Sequence, residues 1–135
     1  MYKKILVPMA LEQNRNAAAA MGIAHKLLEK DGQIIALHVI EAIPGYAAMH
    51  MPADYQEKRQ SEAIASMKAE LGGVGDVKAS VVIGHPGRTI QDFAEQHDID
   101  CIIMASHQPG FQDYILGSTA AWVVRHAKCS VHVIR

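Results

Sequence analysis

The sequence predicts an α/β fold: a single doubly wound, five-stranded parallel sheet with helices on both faces. Two observations carry that expectation. Five short apolar runs alternate with four stretches of helical period along 135 residues. Runs such as IIALHVI and CIIMA are apolar at nearly every position rather than every second one, as parallel strands covered on both sides must be. Strand–helix–strand repeats joined by right-handed crossovers place helices on both faces.

The strands are expected at Lys3 to Met9, Gln33 to Ile40, Val77 to Gly84, Asp100 to Ser106 and Ser130 to Arg135. Between the first two, Ala17, Ala20, Met21, Ala24, Leu27 and Leu28 share one helical face. Asn14 or Asn16 is placed to cap that helix, and Asp31-Gly32 to end it. A second helix starts at Asp54, with Glu57 as a capping partner and an apolar stripe of Ile64, Met67 and Leu71. GGVGD stops it. The third begins after HPG and turns Ile90, Phe93 and Ala94 inward. The fourth follows Gly117 and carries Ala120, Ala121, Val123, Val124 and Ala127. No internal repeat or linker interrupts the chain, so one domain is expected over residues 1–135.

Half of the residues are hydrophobic and a fifth are charged, which supports a packed core. The formal net charge is -1 without any Lys/Arg run, so no nucleic-acid footprint is present. No apolar stretch is long enough for membrane insertion. MYKKILVPMA has a strand pattern rather than that of a signal peptide, which makes the cytoplasm the expected location. Cys101 and Cys129 adjoin apolar runs and are expected as buried, reduced thiols.

In sheets of this kind ligands bind beyond the carboxyl ends of strands, where the strand order reverses. That rule singles out Pro8, Met9 and Ala10; Val39, Ile40 and Glu41; His85 and Gly87; and Ser106 and His107. It also draws attention to QPGFQDYILGSTAA, a long turn-rich loop that runs into a helix. Gly117-Ser118-Thr119-Ala120 has two readings. A helix start opened by glycine, with two hydroxyls, is suited to hold a phosphate. Alternatively Ser118 is only an N-cap.

Other chemistries find less in the sequence. His25, His38, His50, His85, His97, His107, His126 and His132 are scattered without zinc spacing, and no metal site is expected. Asp92 and Asp113 read as solvated surface. Ser106 and His107 are neighbours on a strand, so their side chains point apart and make no nucleophile–base pair. AIPGYAAMHMPADY is expected to wrap the sheet edge or pocket mouth. There Tyr46, Met49, Met51 and Tyr55 form a lid or partner surface, or pack on the second helix.

MYKKILVPM, ALHVIE, and IIMASH followed by LGSTAAWVVRHAKCSVHVIR together resemble the universal stress protein family over the whole chain. The family's nucleotide pattern is Gly, two residues, Gly, nine residues, then Gly and Ser or Thr. Here Gly117-Ser118 close it. Ala105 and Gln108 stand at the first two glycine positions, with eight residues between Gln108 and Gly117. The form SHxPxxxxYxLGSxAAxVVRHAxCSV is similar to a subgroup of small bacterial nucleotide binders.

The resemblance implies a Rossmann-like sheet ordered 3-2-1-4-5, with ATP, and Mg²⁺ able to accompany it, across the first and fourth strands. Pro8, Met9 and Ala10 would line the adenosine end and Val39 would touch adenine. Met104, Ala105, Ser106, His107 and Gln108 would flank ribose and phosphates. Gly117, Ser118, Thr119 and Ala120 would hold the phosphates. It further implies a homodimer through Val131, Val133 and Ile134 on the last strand. The role implied is regulation without dedicated catalysis, exerted on an unidentified protein partner such as a transporter.

One departure bears on affinity. Ala10 stands where nucleotide-binding members usually carry an acid, with Glu12 two residues on. Loss of a charged acceptor costs ~1.5–3 kcal/mol, or roughly ten- to hundredfold in affinity. A dimeric scaffold without nucleotide, or a slow ATPase using His107 or Asp113, are the alternatives. Ala105 fits the pattern if its φ is negative.

Overall fold

The computed structural model describes residues 1–11, 14–72, 75–106 and 116–135, with the backbone alone at 14–16. Five parallel strands form one sheet in the order β3-β2-β1-β4-β5. In chain order the elements are β1 (Tyr2–Pro8), α1 (Asn14–Leu27), β2 (Leu28–Ile40), α2 (Gly45–Ala48), α3 (Tyr55–Glu70), β3 (Val77–Ile83), α4 (Pro86–Gln96), β4 (Cys101–Ala105), α5 (Ser118–His126) and β5 (Ser130–Ile134).

Strand alternation divides the core in two. Ile5, Val7, Ile34, Ala36, Cys101 and Ile103 meet Ala20 and Ala24 of α1 and Met67 of α3. Leu6, Ile35, Leu37, Ile102 and Met104 meet Ile90, Phe93 and Ala94 of α4 and Ala120 and Val123 of α5. Successive residues of one strand thus serve opposite layers, so the stretches 5–7, 34–37 and 101–104 are apolar at every position.

The seam between β1 and β4 is clamped at its amino-terminal end by Asp100. Its carboxylate accepts from the backbone N–H of Lys3 (2.8 Å) and of Lys4 (3.0 Å). Its own N–H donates to Lys4 O at 3.0 Å. Lys4 Nζ donates to His97 O at 3.1 Å, closing the same corner.

Several expected details move. α1 begins at Asn14, so Asn14 and Asn16 lie inside the helix rather than capping it. β2 begins at Leu28, well before Gln33. Its register with β1 jumps from Tyr2↔Leu28 to Lys4↔Gln33, and Asp31 takes a left-handed φ of 66°. Asp31-Gly32 therefore marks a bulge in a strand rather than the end of a helix. Asp54 is the N-cap of α3, without a side-chain cap bond, and pairs instead with Lys58 at 3.6 Å. The third expected helix starts one residue before Gly87, with Pro86 in its first turn. Proline fits there because its missing N–H would have no helical partner. On α5 the buried stripe is Ala120 and Val123, while Val124 is 49% exposed.

Cys101 is buried in the core and Cys129 is half-buried; both are free thiols. Burial, then the nearby Cys129 and Asp100, push the Cys101 thiol up to about 11.

Three outcomes follow. Asp100→Ala removes the acceptor of two backbone donors, one exposed and one part-buried, and should lower unfolding free energy by ~1 kcal/mol in urea titrations. Cys101 should alkylate about 100-fold more slowly at pH 8 than an unperturbed thiol, because thiolate is the nucleophile. Its raised value also fixes a sign. The unfolded thiol ionises from about pH 9 and the folded one near 11, so stability should fall as pH rises through that window.

Candidate functional site

The register places a crevice at the strand-order reversal. β1 pairs with β2 as far as Pro8↔Leu37, but with β4 only at Ile5↔Cys101 and Leu6↔Ile102. β4 stays paired with β5 to Ala105↔Ile134. The carboxyl ends of β1 and β4 are each held by an outer neighbour and not by one another. The seam therefore opens where ligands bind in sheets of this order.

On the β1 side, Pro8 is half-buried and Ala10 exposed. The Met9 side chain is spent in the core under α1, so its backbone is what faces the turn. Met9 N–H donates to Leu37 O, and His38 Nδ1 lies 2.8 Å from Met9 O. Val39 is half-buried and packs toward the α4–α5 layer.

On the β4 side, Met104 is buried in that same layer. Ala105 is half-buried, and positive φ among described non-glycine residues is confined to Asp31 and Asp98, so Ala105 meets its condition. Ser106 is 2% exposed. Its N–H donates to Ile134 O at 2.8 Å, and its carbonyl accepts from Gly117 N–H. That last bond ties the start of α5 to the end of β4 and brings Gly117, Ser118 and Thr119 to the crevice. His107, Gln108 and Asp113 lie outside the described residues, as does Glu12.

The start of α5 does not match the bland reading of the GST sequence. Gly117, not Ser118, is the N-cap, and as a glycine it brings no side chain to cap the helix. Ser118 is the first helical residue and is exposed; Thr119 is half-buried. Ala121 N–H donates to Gly117 O, leaving the N–H groups of the preceding residues without a helical acceptor. The Ala120 methyl is buried in the core, so only its backbone can serve a ligand. Gly117 has φ −58° and ψ 154°, a conformation open to any residue. The turn therefore does not require glycine there.

Most described histidines are occupied locally. His25 bridges Met21 O and Asp76; the side chain of His85 caps α4; His97 and His126 bond carbonyls four residues back. Among the described residues no group of three or more His, Cys, Asp or Glu is arranged to hold a metal. A cavity of about 320 Å³ lies at the opposite end of the sheet, between Asp98, Ile99, Lys128 and Cys129, and touches no candidate residue. α2 buries none of its side chains, and Tyr46 and Met49 are 77% and 83% exposed. On β5, Val131 and Ile134 are half-buried against opposite core layers. Val133 pairs with Met104.

Comparison with known proteins bears on this geometry. The model of the universal stress protein family matches residues 1–135. Universal stress protein G of Salmonella typhimurium is 31% identical, with 100% of both chains covered. The solved structure of universal stress protein UspA from Lactobacillus plantarum is 28% identical, has a TM-score of 0.79 and covers 99% of this chain and 98% of its own. A family protein from Arabidopsis thaliana, solved with AMP bound, shares the fold at 19% identity and a TM-score of 0.61, over 98% of this chain and 90% of its own.

Proposed function

The chain belongs to the universal stress protein family, and from that premise we propose that it is an adenine-nucleotide-binding regulatory protein, with ATP as the favoured ligand. The observation that carries this reading is the start of α5. It is tied to the end of β4 by the Gly117–Ser106 bond, has an N-cap residue that brings no side chain, and is opened by a glycine whose φ any residue could adopt. Free N–H groups and the positive end of the helix dipole suit a phosphate there. The hydroxyls of Ser118 and Thr119 lie beside them. Pro8, the Met9 backbone, Ala10 and Val39 form the opposite wall, where adenosine would lie with Met104, Ala105 and Ser106 beneath it. AMP in the Arabidopsis relative supports the ligand class.

The role proposed is binding rather than turnover. The described wall residues include no carboxylate to act as a base, Ala10 being a methyl. Nucleotide occupancy would bias the protein between two states, and a protein partner, a transporter being one class, would read the difference. Mg²⁺ would arrive with the nucleotide. β5 pairs with β4 alone, so its outer edge suits an isologous homodimer through Val131, Val133 and Ile134. Ala10 also favours a second reading, a dimeric scaffold that has lost nucleotide.

Two measurements decide. Mass spectrometry of the supernatant from denatured, freshly purified protein should find adenine nucleotide. At ligand a hundredfold above Kd, ATP should add ~2.7 kcal/mol, roughly 8–16 °C in Tm. Gly117→Asp separates the phosphate site from a plain helix start. Aspartate is a favoured N-cap, so unliganded stability should hold or rise. Its charge opposes phosphate, so ATP affinity should fall about 100-fold. Unchanged ATP affinity would remove the α5 start as the phosphate site, and no ATP uptake by the wild type would favour the scaffold. Separately, light scattering at micromolar concentration should give twice the 14.7 kDa chain mass. A monomer there would remove the β5 interface.

A further inference from the structure

The geometry points to His38 as the residue that positions the adenosine side of the crevice, an inference that rests on the nucleotide reading above. In the sequence His38 is one of eight scattered histidines. In the structure its Nδ1 lies 2.8 Å from the carbonyl oxygen of Met9, 29 residues away.

The place of that bond matters. Met9 is the residue just past β1. Its N–H donates to Leu37 O at 2.8 Å, and its carbonyl is taken by the next residue of β2, His38. Its side chain is buried in the core. Met9 is thus fixed at all three of its groups, and the residue after it, Ala10, is exposed. β4 does not help to hold this stretch, since its pairing with β1 ends at Leu6↔Ile102. Among the described residues the last anchor before the crevice wall is therefore the imidazole.

The same side chain precedes Val39, the candidate adenine contact. His38 sets the spacing between the two pieces of chain expected to meet adenosine, the Met9–Ala10 turn and the end of β2. That spacing carries more weight here because Ala10 brings no carboxylate. Backbone groups of the turn then carry more of the contact with adenosine, and among the described residues they are anchored through Met9.

The chemistry of the bond is definite. A carbonyl oxygen can only accept, so Nδ1 carries the hydrogen. The neutral ring is therefore the Nδ1–H tautomer, with Nε2 left as an acceptor on its other edge. Asn can replace this donor, because its amide nitrogen, like Nδ1, is bonded to Cγ. Leu keeps comparable bulk without a donor.

The test combines calorimetry with ¹⁵N NMR. His38→Asn should bind ATP and AMP within about threefold of wild type, and His38→Leu at least about tenfold more weakly. The loss for Leu should be the same for AMP as for ATP, because the residue acts at the adenosine end. A general loss of stability would not spare His38→Asn, and a phosphate-end defect would weaken ATP more than AMP. Ligand-free wild-type protein should show His38 as the Nδ1–H tautomer. Wild-type nucleotide affinity in His38→Leu, equal losses for Asn and Leu, or the Nε2–H tautomer would each overturn the inference. The tautomer and the Asn variant decide it if His38→Leu does not fold. Wild-type protein that takes up neither ATP nor AMP would remove the nucleotide reading and this inference with it. Binding by wild type that His38→Leu retains would overturn this inference alone.

Discussion

The clamp of Asp100 on the backbone of Lys3 and Lys4 is the constraint from which the rest of the sheet follows. β1 and β4 are where the strand order reverses. They join two strand–helix–strand halves whose helices cover opposite faces. The β1–β4 ladder itself is short, with register pairs at Ile5↔Cys101 and Leu6↔Ile102 only. A carboxylate accepting two backbone N–H groups gives charge-assisted bonds at the end where that ladder begins. Held there, the strands are free to part at the other end without loss of register.

That parting defines the candidate site. Each strand end is then held from outside, β1 by Leu37 and His38 of β2, and β4 by β5 through Ser106 and Ile134. The helix that follows β4 is drawn back to the opening by the bond from Gly117 to Ser106. The crevice is thus a product of register and two return bonds rather than a hollow in the core. The cavity near Cys129 lies at the other end of the sheet and is no part of this opening.

Much of this was legible in sequence because it is local. Every strand was visible, since burial on both faces writes continuous apolar runs such as IIALHVI and CIIMA. The start of the last helix after Gly117 was visible through the small and hydroxyl residues that open it. The strand order came from the family resemblance and is the one observed. What was missed depends on contacts that no local window contains. The Asp100 clamp spans more than 90 residues and the His38 bond 29. The start of β2 was misplaced because LLEKDG carries the apolar spacing and glycine stop of a helix end. Its residues instead form a strand, and Asp31 adopts a left-handed turn. α2 has only four residues, too short to leave a period.

A comparison of two helix starts separates the site from its surroundings. Both α4 and α5 begin at the carboxyl edge of the sheet with a glycine in or beside the first turn. At α4 the start is closed. His85 accepts from Arg88 N–H, Pro86 offers no donor, and a Cβ on Gly87 would lie 2.6 Å from Trp122 Cγ. That glycine serves helix packing. At α5 the N-cap is a glycine, which brings no capping side chain and has an ordinary φ. A glycine that the backbone does not need costs ~0.4–1 kcal/mol through the unfolded chain. Packing accounts for that cost at Gly87. At Gly117 the φ supplies no reason, and close approach of an anion to the helix start, as proposed above, would supply one.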